Sequence, residues 1–354
     1  MGIETFSLGR LEIGSDCAPI VIPEAGINHE GSLDRALELV RSAHSAGAQV
    51  IKFQTHIPEE EMIHTDVVPE GISSETLWDI ISRCSLSSAD ERKVAAECER
   101  LGMEFLSTPF SVAAVDRLVD LGVNGFKVGS GEVSNPFILQ RIAATGLPVI
   151  LSTGMHTNRE VRTAFSILRQ GGCPVVLLHC ISVYPAPHEL MAIQSVPELI
   201  RNFPGTPVGI SDHSEGIWTA LGAVALGACV VEKHFTVDRG WPGPDMPVSI
   251  EPRELRDLIA GSTAIWESLR QVSGEEEYEQ SVRNFAVSSI VTTTEIAEGA
   301  LITESSLTLK RPGTGDFHAD DLVSVIGARA ARSIPPNQIL RREDLLDRSP
   351  ASDG

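Results

Sequence analysis

Two short apolar runs break off into residues that can do chemistry. VVEKHFT (230–236) ends in Glu232, Lys233 and His234 and is followed by Gly243, Pro244 and Asp245. VGI (208–210) ends in Ser211, Asp212 and His213. Neighbouring parallel strands lie about 4.8 Å apart, so if these runs are neighbours, His213 and His234 reach one divalent ion. A single such histidine is more often a hydrogen-bonded core residue. Two on adjacent strand ends, beside carboxylates, shift the reading to a metal. Imidazole plus oxygen ligands suit Mn, Fe, Co or Zn, and positions open to an oxygen-rich substrate favour Mn or Mg.

The same kind of ending recurs along the chain, at Glu24, Lys52 with Gln54, Thr108, Lys127, Ser152 and Tyr184. Lys52 and Lys127 stand inside apolar runs, and buried lysine is rare unless paired. They are either structural ion-pair partners of Glu24 or Glu232, or a cation pair for a phosphate or carboxylate. GSGE (129–132) places small residues and free N–H groups beside Lys127, which suits a phosphate oxygen, although GSG alone is a weak signal. His179, in LLHC, reads as a core or supporting residue. His29, in NHEG, suits a turn as well as the rim of a site. The cysteines have no partners in sequence and receive no chemical role.

Elements must bring these residues together. Apolar runs at 19–26, 50–56, 103–110, 125–132, 148–155, 174–182, 207–214 and 229–236 alternate with helical patterns up to about Leu269. That makes about eight strand-and-helix units, the count of a TIM barrel, whose sites lie at the C-terminal ends of the strands. The runs are too apolar for one wet face, as parallel strands buried on both sides require. Ser88 with Glu91 and Thr157 with Glu160 have capping-box spacing. Gly47, Gly102, Gly122, Gly146 and Gly227 fall where helices should stop, and Pro252 suits a first turn. The stretch 56–86 is too long for an ordinary βα loop and reads as a lid or specificity loop, or as a plug or subunit contact. The expected domains are a barrel over 1–274, a solvated linker over 275–287 carrying EEEYEQ, and a small, mostly β module over 288–354.

Composition narrows the partners. A formal charge of −20 over 354 residues, with pI near 4.9, argues against nucleic acid and against anionic membrane surfaces. A small anionic substrate stays open, since a few local cations suffice for it. Cys17, Cys84, Cys98, Cys173, Cys180 and Cys229 include no C-x-x-C pair, which fits free thiols in a reducing compartment. The first residues lack an apolar signal core and no segment is long enough for a bilayer, so a cytoplasmic protein is expected.

EAGINHEGS (24–32), IKFQTH (51–56), STPF (107–110), KVGSGE, LSTGM, HCISVYP (179–185), SDHS, EKHFT and RPGTGDF (311–317) together resemble the sialic acid synthases, in order and over nearly the whole chain. The resemblance implies a phosphoenolpyruvate-dependent transferase, a TIM barrel followed by an antifreeze-like (SAF) domain of β-clip type, and a domain-swapped homodimer whose small domain covers the partner's mouth. Residue by residue, it implies phosphoenolpyruvate contacts from Lys52, Thr108, Lys127, Ser130, Ser152, Ser182 and Ser211. It implies Mn (or Mg or Co) on His213 and His234. Glu24, Gln54, Tyr184 and Asp245 would hold the sugar, Glu24, Glu132 and Glu232 would be catalytic, and Arg311 would come from the partner to the N-acetyl group. Ser182 stands where many relatives have Asn, the first strand reads IPEAG rather than IAEIG, and Trp241 has no counterpart role.

The implied reaction joins phosphoenolpyruvate to N-acetylmannosamine, giving N-acetylneuraminate and phosphate, with Glu132 or Glu24 as the base for an incoming water. Sugars leading to legionaminate, pseudaminate or a sialate 9-phosphate are alternative acceptors. From other classes come a Schiff-base aldolase using Lys52 or Lys127, and a non-catalytic sugar-binding barrel.

Overall fold

The structure is a computed structural model and describes residues 4–69, 74–270 and 275–346. The chain divides into two compact units, Met1–Arg270 and Gln271–Gly354. The first opens with a hairpin, β1 (Phe6–Leu8) and β2 (Leu11–Ile13), which the sequence reading did not anticipate. Eight parallel strands follow: β3 (Ile20–Gly26), β4 (Val50–Thr55), β5 (Glu104–Pro109), β6 (Phe126–Val128), β7 (Val149–Ser152), β8 (Val175–Cys180), β9 (Val208–Asp212) and β10 (Val230–His234). Their spatial order is β5-β4-β3-β10-β9-β8-β7-β6, and β5 lies against β6, so the sheet curls into a nearly closed barrel. The TIM-barrel expectation holds, and β9 and β10 are hydrogen-bonded neighbours, with Glu232 opposite Ser211.

The outer layer consists of α1 (Leu33–Ser45), α2 (Pro58–Glu61), α3 (Leu77–Cys84), α4 (Ser88–Arg100), α5 (Val112–Leu121), α6 (Pro136–Ala143), α7 (Asn158–Gln170), α8 (Ser195–Asn202), α9 (Trp218–Ala225) and α10 (Pro252–Ser268). In α1 the buried residues are Ala36, Leu39, Val40 and Ala43, one helical stripe against the sheet. The Thr157–Glu160 capping box forms as expected. The Ser88–Glu91 box does not. Ser87 caps α4 by accepting from the Asp90 N–H, and Glu91 turns inward to accept from Thr55 Oγ1 at 2.7 Å. Gly122 ends α5 at φ 83°, a conformation that would strain a residue with a Cβ. In the 56–86 insertion, Ile80 and Cys84 of α3 pack on Ile27, just beyond β3, so this segment sits at the mouth end of the barrel. Residues 70–73 of the insertion lie outside the described residues.

Strand pleating sorts the barrel's side chains. Successive residues point to opposite faces, so Val21, Ile51, Val175, Leu177 and Val231 join the core under the helices. Ile20, Ile22, Val50, Leu106, Ile150, Val176, Leu178 and Val230 fill the barrel interior, together with Leu8, Leu11 and Ile13 of the hairpin. Following the interior face toward the C-terminal ends, apolar residues give way to polar ones. Ile22 is followed by Glu24, Val50 by Lys52 and Gln54, Leu106 by Thr108, Ile150 by Ser152, and Val230 by Glu232 and His234.

In the second unit, α11 (Glu275–Ala286) occupies the place expected for a linker. β11 (Ser289–Thr292) and β12 (Leu307–Lys310) pair antiparallel, isolated bridges such as Ile296 to Ile334 extend the β structure, and α12 (Leu322–Val325) is a single short turn. The core here is Ile290, Ile296, Ile302, Val325, Ala330, Ile334 and Leu340.

Candidate active site

Four buried charges meet inside the mouth. Lys52 Nζ lies 2.7 Å from Glu24 Oε2, 3.9 Å from Glu232 Oε2 and 3.1 Å from Thr108 Oγ1. Lys127 Nζ lies 3.7 Å from Glu232 Oε1 and donates to Ser152 Oγ at 2.7 Å. Ser211 Oγ donates to Glu232 Oε1 at 2.9 Å. Each lysine is thus matched to a carboxylate, which is the ion-pair arrangement. Burial pushes Glu24 up to about 7 against the pull of Lys52, and the Glu232 charge adds to the rise. Glu232 is held below the usual carboxylate range by Lys127 and Lys52, which overcome its desolvation. The Lys127 ammonium is lowered by burial despite Glu232, while the two carboxylates keep Lys52 raised.

Lys233 does not join this group. It is the odd member of the Glu232–His234 run, so the pleat turns it outward, where it pairs with Asp212 at 3.3 Å in a fully buried contact. Asp212 also accepts from Ser214 and Thr219. Of the three residues that end this strand, only Glu232 and His234 therefore face the barrel mouth.

The histidine rings of His213 and His234 lie 5.4 Å apart, centroid to centroid. His213 Nδ1 donates to the Ile181 carbonyl at 2.8 Å, which leaves Nε2 as the ring nitrogen with a free lone pair. His234 Nδ1 is buried without a hydrogen-bond partner, and Asp245 Oδ2 lies 3.5 Å from it. Tyr184 lies over His213 at 4.2 Å and edge-on to His234 at 5.9 Å. Among the described residues no cluster of three or more His, Cys, Asp or Glu forms a ready-made cation cage. Two imidazole nitrogens beside a carboxylate nevertheless fit a divalent ion that keeps positions open for substrate oxygens.

A second lobe lies around Gly154. A methyl group there would sit 2.8 Å from both Ser130 Oγ and Ser182 Oγ and 3.1 Å from the Cys180 carbonyl, so two hydroxyls close on one glycine. Cys180, which the sequence left without a role, belongs here. Its thiol lies 3.5 Å from Ser130 Oγ and 3.7 Å from Ser182 Oγ. Only its place on the interior face of β8, after Leu178, signals this. Beside Lys52, Gln54 Nε2 donates to Glu24 Oε1 at 3.1 Å, and a methyl group on Gly26 would meet Glu24, Gln54 and Asp245 within 3.5 Å. Asp245 is raised to about 6 by burial.

Two further expected residues remain. Glu132 ends a short 3-10 turn (Ser130–Glu132) and accepts from Asn135 Nδ2 at 3.1 Å, with no link to the lysines among the described contacts. Arg311 belongs to the second unit. Its loop is pinned there by Gly313 N–H to Asn284 O and by Ser289 Oγ to Pro312 O, while the exposed Arg311 guanidinium has no partner among the described residues. His179 donates to the Met191 carbonyl and is structural, and His29 Nδ1 accepts from Gly31 N–H in a turn.

A buried ammonium pair beside hydroxyls, next to imidazoles with bare nitrogens, suits an enzyme that joins a small anion to a carbonyl compound. Comparison with known proteins gives the family. A model of the NeuB family matches residues 39–274 and one of the SAF domain matches residues 287–346, so the chain belongs to the NeuB family. It is 35% identical over 353 residues to the N,N'-diacetyllegionaminic acid synthase of Legionella pneumophila, covering 94% of this chain and 96% of that one. It is 33% identical over 335 residues to the enzyme of the same name from Campylobacter jejuni, covering 91% and 98%. Among solved structures it is similar to the N-acetylneuraminic acid (sialic acid) synthetase of Leptospira borgpetersenii in complex with citrate, with TM-score 0.71, 32% identity and coverage of 79% of this chain and 98% of that one. The chain is thus an enzyme of the sialic-acid-synthase type, a phosphoenolpyruvate-dependent transferase with a barrel and an SAF domain.

Proposed function

We propose that the enzyme condenses phosphoenolpyruvate with the open-chain aldehyde of N-acetylmannosamine, forming N-acetylneuraminate and releasing phosphate. The observation that carries this reading is the pair of buried ammonium groups, Lys52 and Lys127, set beside the histidine pair. One lobe offers charge to an anion, the other an electrophilic position to an aldehyde. Lys127, Ser152, Ser130 and Ser182 are assigned to the phosphate side of phosphoenolpyruvate, and Lys52, Thr108 and Ser211 to its carboxylate side. Gln54, Tyr184 and Asp245 are assigned to the sugar. A divalent ion, Mn by preference, would be held by His213 and His234 and would supply Lewis-acid polarisation of the aldehyde.

The residues account for the remaining steps. C3 of phosphoenolpyruvate bonds to the aldehyde carbon, whose oxygen takes a proton from solvent to become a hydroxyl, and positive charge develops at C2; the proton that the added water later gives up through Glu24 balances it. The Glu232 carboxylate, between the two lysines, faces that charge. Water adds at C2 and gives its proton to Glu24, whose carboxylate near 7 is matched to neutral pH. The C2–O bond to phosphate then breaks and leaves the ketone. Glu24 is preferred to Glu132 as base because Glu132 lies apart with Asn135.

The two bacterial relatives favour a second acceptor, a diacetamido hexose that yields diacetyllegionaminate. Phosphate release with each sugar, at equal phosphoenolpyruvate, decides between them. A kcat/KM for N-acetylmannosamine well below that for the diacetamido sugar overturns the first reading. In the same proposal, Arg311 of one chain reaches the acetamido carbonyl in a second copy, for which its planar fork of donors is suited.

A further inference from the structure

His56 and Glu61 lie outside every role assigned above, and both are buried at the mouth. His56 Nε2 is 2.9 Å from Gln54 Oε1, and His56 Nδ1 is 2.9 and 3.1 Å from the two oxygens of Glu61. Phe110 stacks on the imidazole at 4.3 Å with planes 15° apart, which fixes the ring plane. Glu61 also accepts from the Ile57 N–H at 3.2 Å and comes from α2, the first turn of the 56–86 insertion. A continuous chain of contacts therefore runs from Glu61 through His56 and Gln54 to Glu24 and Lys52.

The hydrogen-bond inventory fixes its direction. In its charged, Lys52-paired form Glu24 accepts from the Gln54 amide through Oε1, so the Gln54 NH2 faces Glu24 and its carbonyl faces His56. A carbonyl accepts only, so His56 Nε2 must carry the proton it donates. A flipped amide would set its carbonyl against the Glu24 carboxylate. The second N–H of Gln54 is left for whatever occupies the space bounded by Gly26 and Asp245.

We propose that His56, held by Glu61 and Phe110, is a positioning residue that locks the Gln54 amide so that it presents an N–H to the acceptor sugar. The acceptor is thereby selected for a lone pair, from a hydroxyl or acetamido oxygen, at that point. The insertion's first turn is coupled to the sugar subsite through the same contacts. This rests on the proposed function, in which Gln54 faces the sugar.

The test uses side-chain amides that mimic one ring nitrogen each. His56→Gln places a donor where Nε2 was, and His56→Asn only where Nδ1 was. Both are made in the full-length enzyme and in a Gln54→Ala background, with KM read for each substrate by phosphate release. Expected is a roughly tenfold rise in acceptor KM for His56→Asn, phosphoenolpyruvate KM within about twofold, and largely restored values for His56→Gln. In the Gln54→Ala background, His56→Asn should add nothing, since it acts through a group already gone. Equal losses in both backgrounds, or parallel losses for both substrates, overturn the positioning role and leave the function standing. A wild-type enzyme that releases no phosphate with any acetamido sugar overturns the functional reading, and this one with it.

Discussion

Replacing Lys127 by Met removes one charge and keeps most of the side-chain volume, so it separates anion binding from packing. Lys127 Nζ sits 3.7 Å from Glu232 Oε1 and 2.7 Å from Ser152 Oγ, wholly buried. A desolvated ammonium on a phosphate oxygen contributes about 1.5–3 kcal/mol per charged hydrogen bond, so phosphoenolpyruvate affinity should fall roughly ten- to hundredfold. Stability also falls, because Glu232 loses a counter-ion. It keeps Ser211 at 2.9 Å and Lys52 at 3.9 Å, so the cost should stay below the ~3–5 kcal/mol of a buried pair broken outright. Calorimetric titration of phosphoenolpyruvate into the folded variant reads the first effect and urea unfolding the second. The comparison is repeated with Glu232→Gln in both proteins. There the stability difference should shrink while the affinity difference persists. An affinity unchanged within about twofold, with only stability lost, would make Lys127 the counter-ion of Glu232 and nothing more.

Other outcomes follow from the same geometry. EDTA should abolish phosphate release and Mn should restore it, whereas His213→Ala should stay folded by circular dichroism and not recover; full activity after exhaustive chelation refutes the metal assignment. Gly154→Ala drives a methyl to 2.8 Å from Ser130 and Ser182, so phosphoenolpyruvate KM should rise about tenfold or more with acceptor KM nearly unchanged; equal effects on both would place the cradle elsewhere. His29 is held down at about 4, by burial first and by His56 second. The unfolded chain takes up that proton below about 6.5 while the folded chain does not until about 4. The fold should therefore lose stability as pH falls through this window, by roughly 3 kcal/mol more than a His29→Gln variant, and parallel urea midpoints for the two proteins between pH 7 and 4 would refute this. Mixing Arg311→Ala with His234→Ala chains, once subunit exchange is confirmed by mass, should regain part of the activity; exchange with no recovery means Arg311 does not act between chains.

The barrel was legible because its strands are buried on both faces and each interior row turns polar at one end. Glu24, Lys52, Lys127, Glu232 and His234 stand out as charges where the pleat demands apolar residues. What escaped was information that alternation alone does not carry. Lys233 looks equivalent to Glu232 and His234 until the period of two assigns it to the outer face. Cys180 and His56 look inert because a thiol among Leu residues and a histidine after Thr55 are ordinary in sequence. Ser87 and Ser88 are both competent caps, and only the inward turn of Glu91 decides between them. The N-terminal hairpin is two three-residue strands, too short for periodicity to register, although Leu8, Leu11 and Ile13 fill the barrel interior. Arg311 is recognisable only through its resemblance to a family motif, since nothing among the described residues of its own unit gives it a partner.

The central claim is that C2 of phosphoenolpyruvate is attacked by water after C3 has bonded to the sugar aldehyde, so that the C–O bond, and not the P–O bond, breaks. Phosphoenolpyruvate carrying ¹⁸O in the bridging C–O–P position, with N-acetylmannosamine and, separately, the diacetamido hexose, tests this in one experiment read by mass spectrometry of both products. The expected products are a nine-carbon keto acid and phosphate in equimolar amount, with the label wholly in the phosphate. Label in the keto acid, or phosphate released without a sugar, would contradict it.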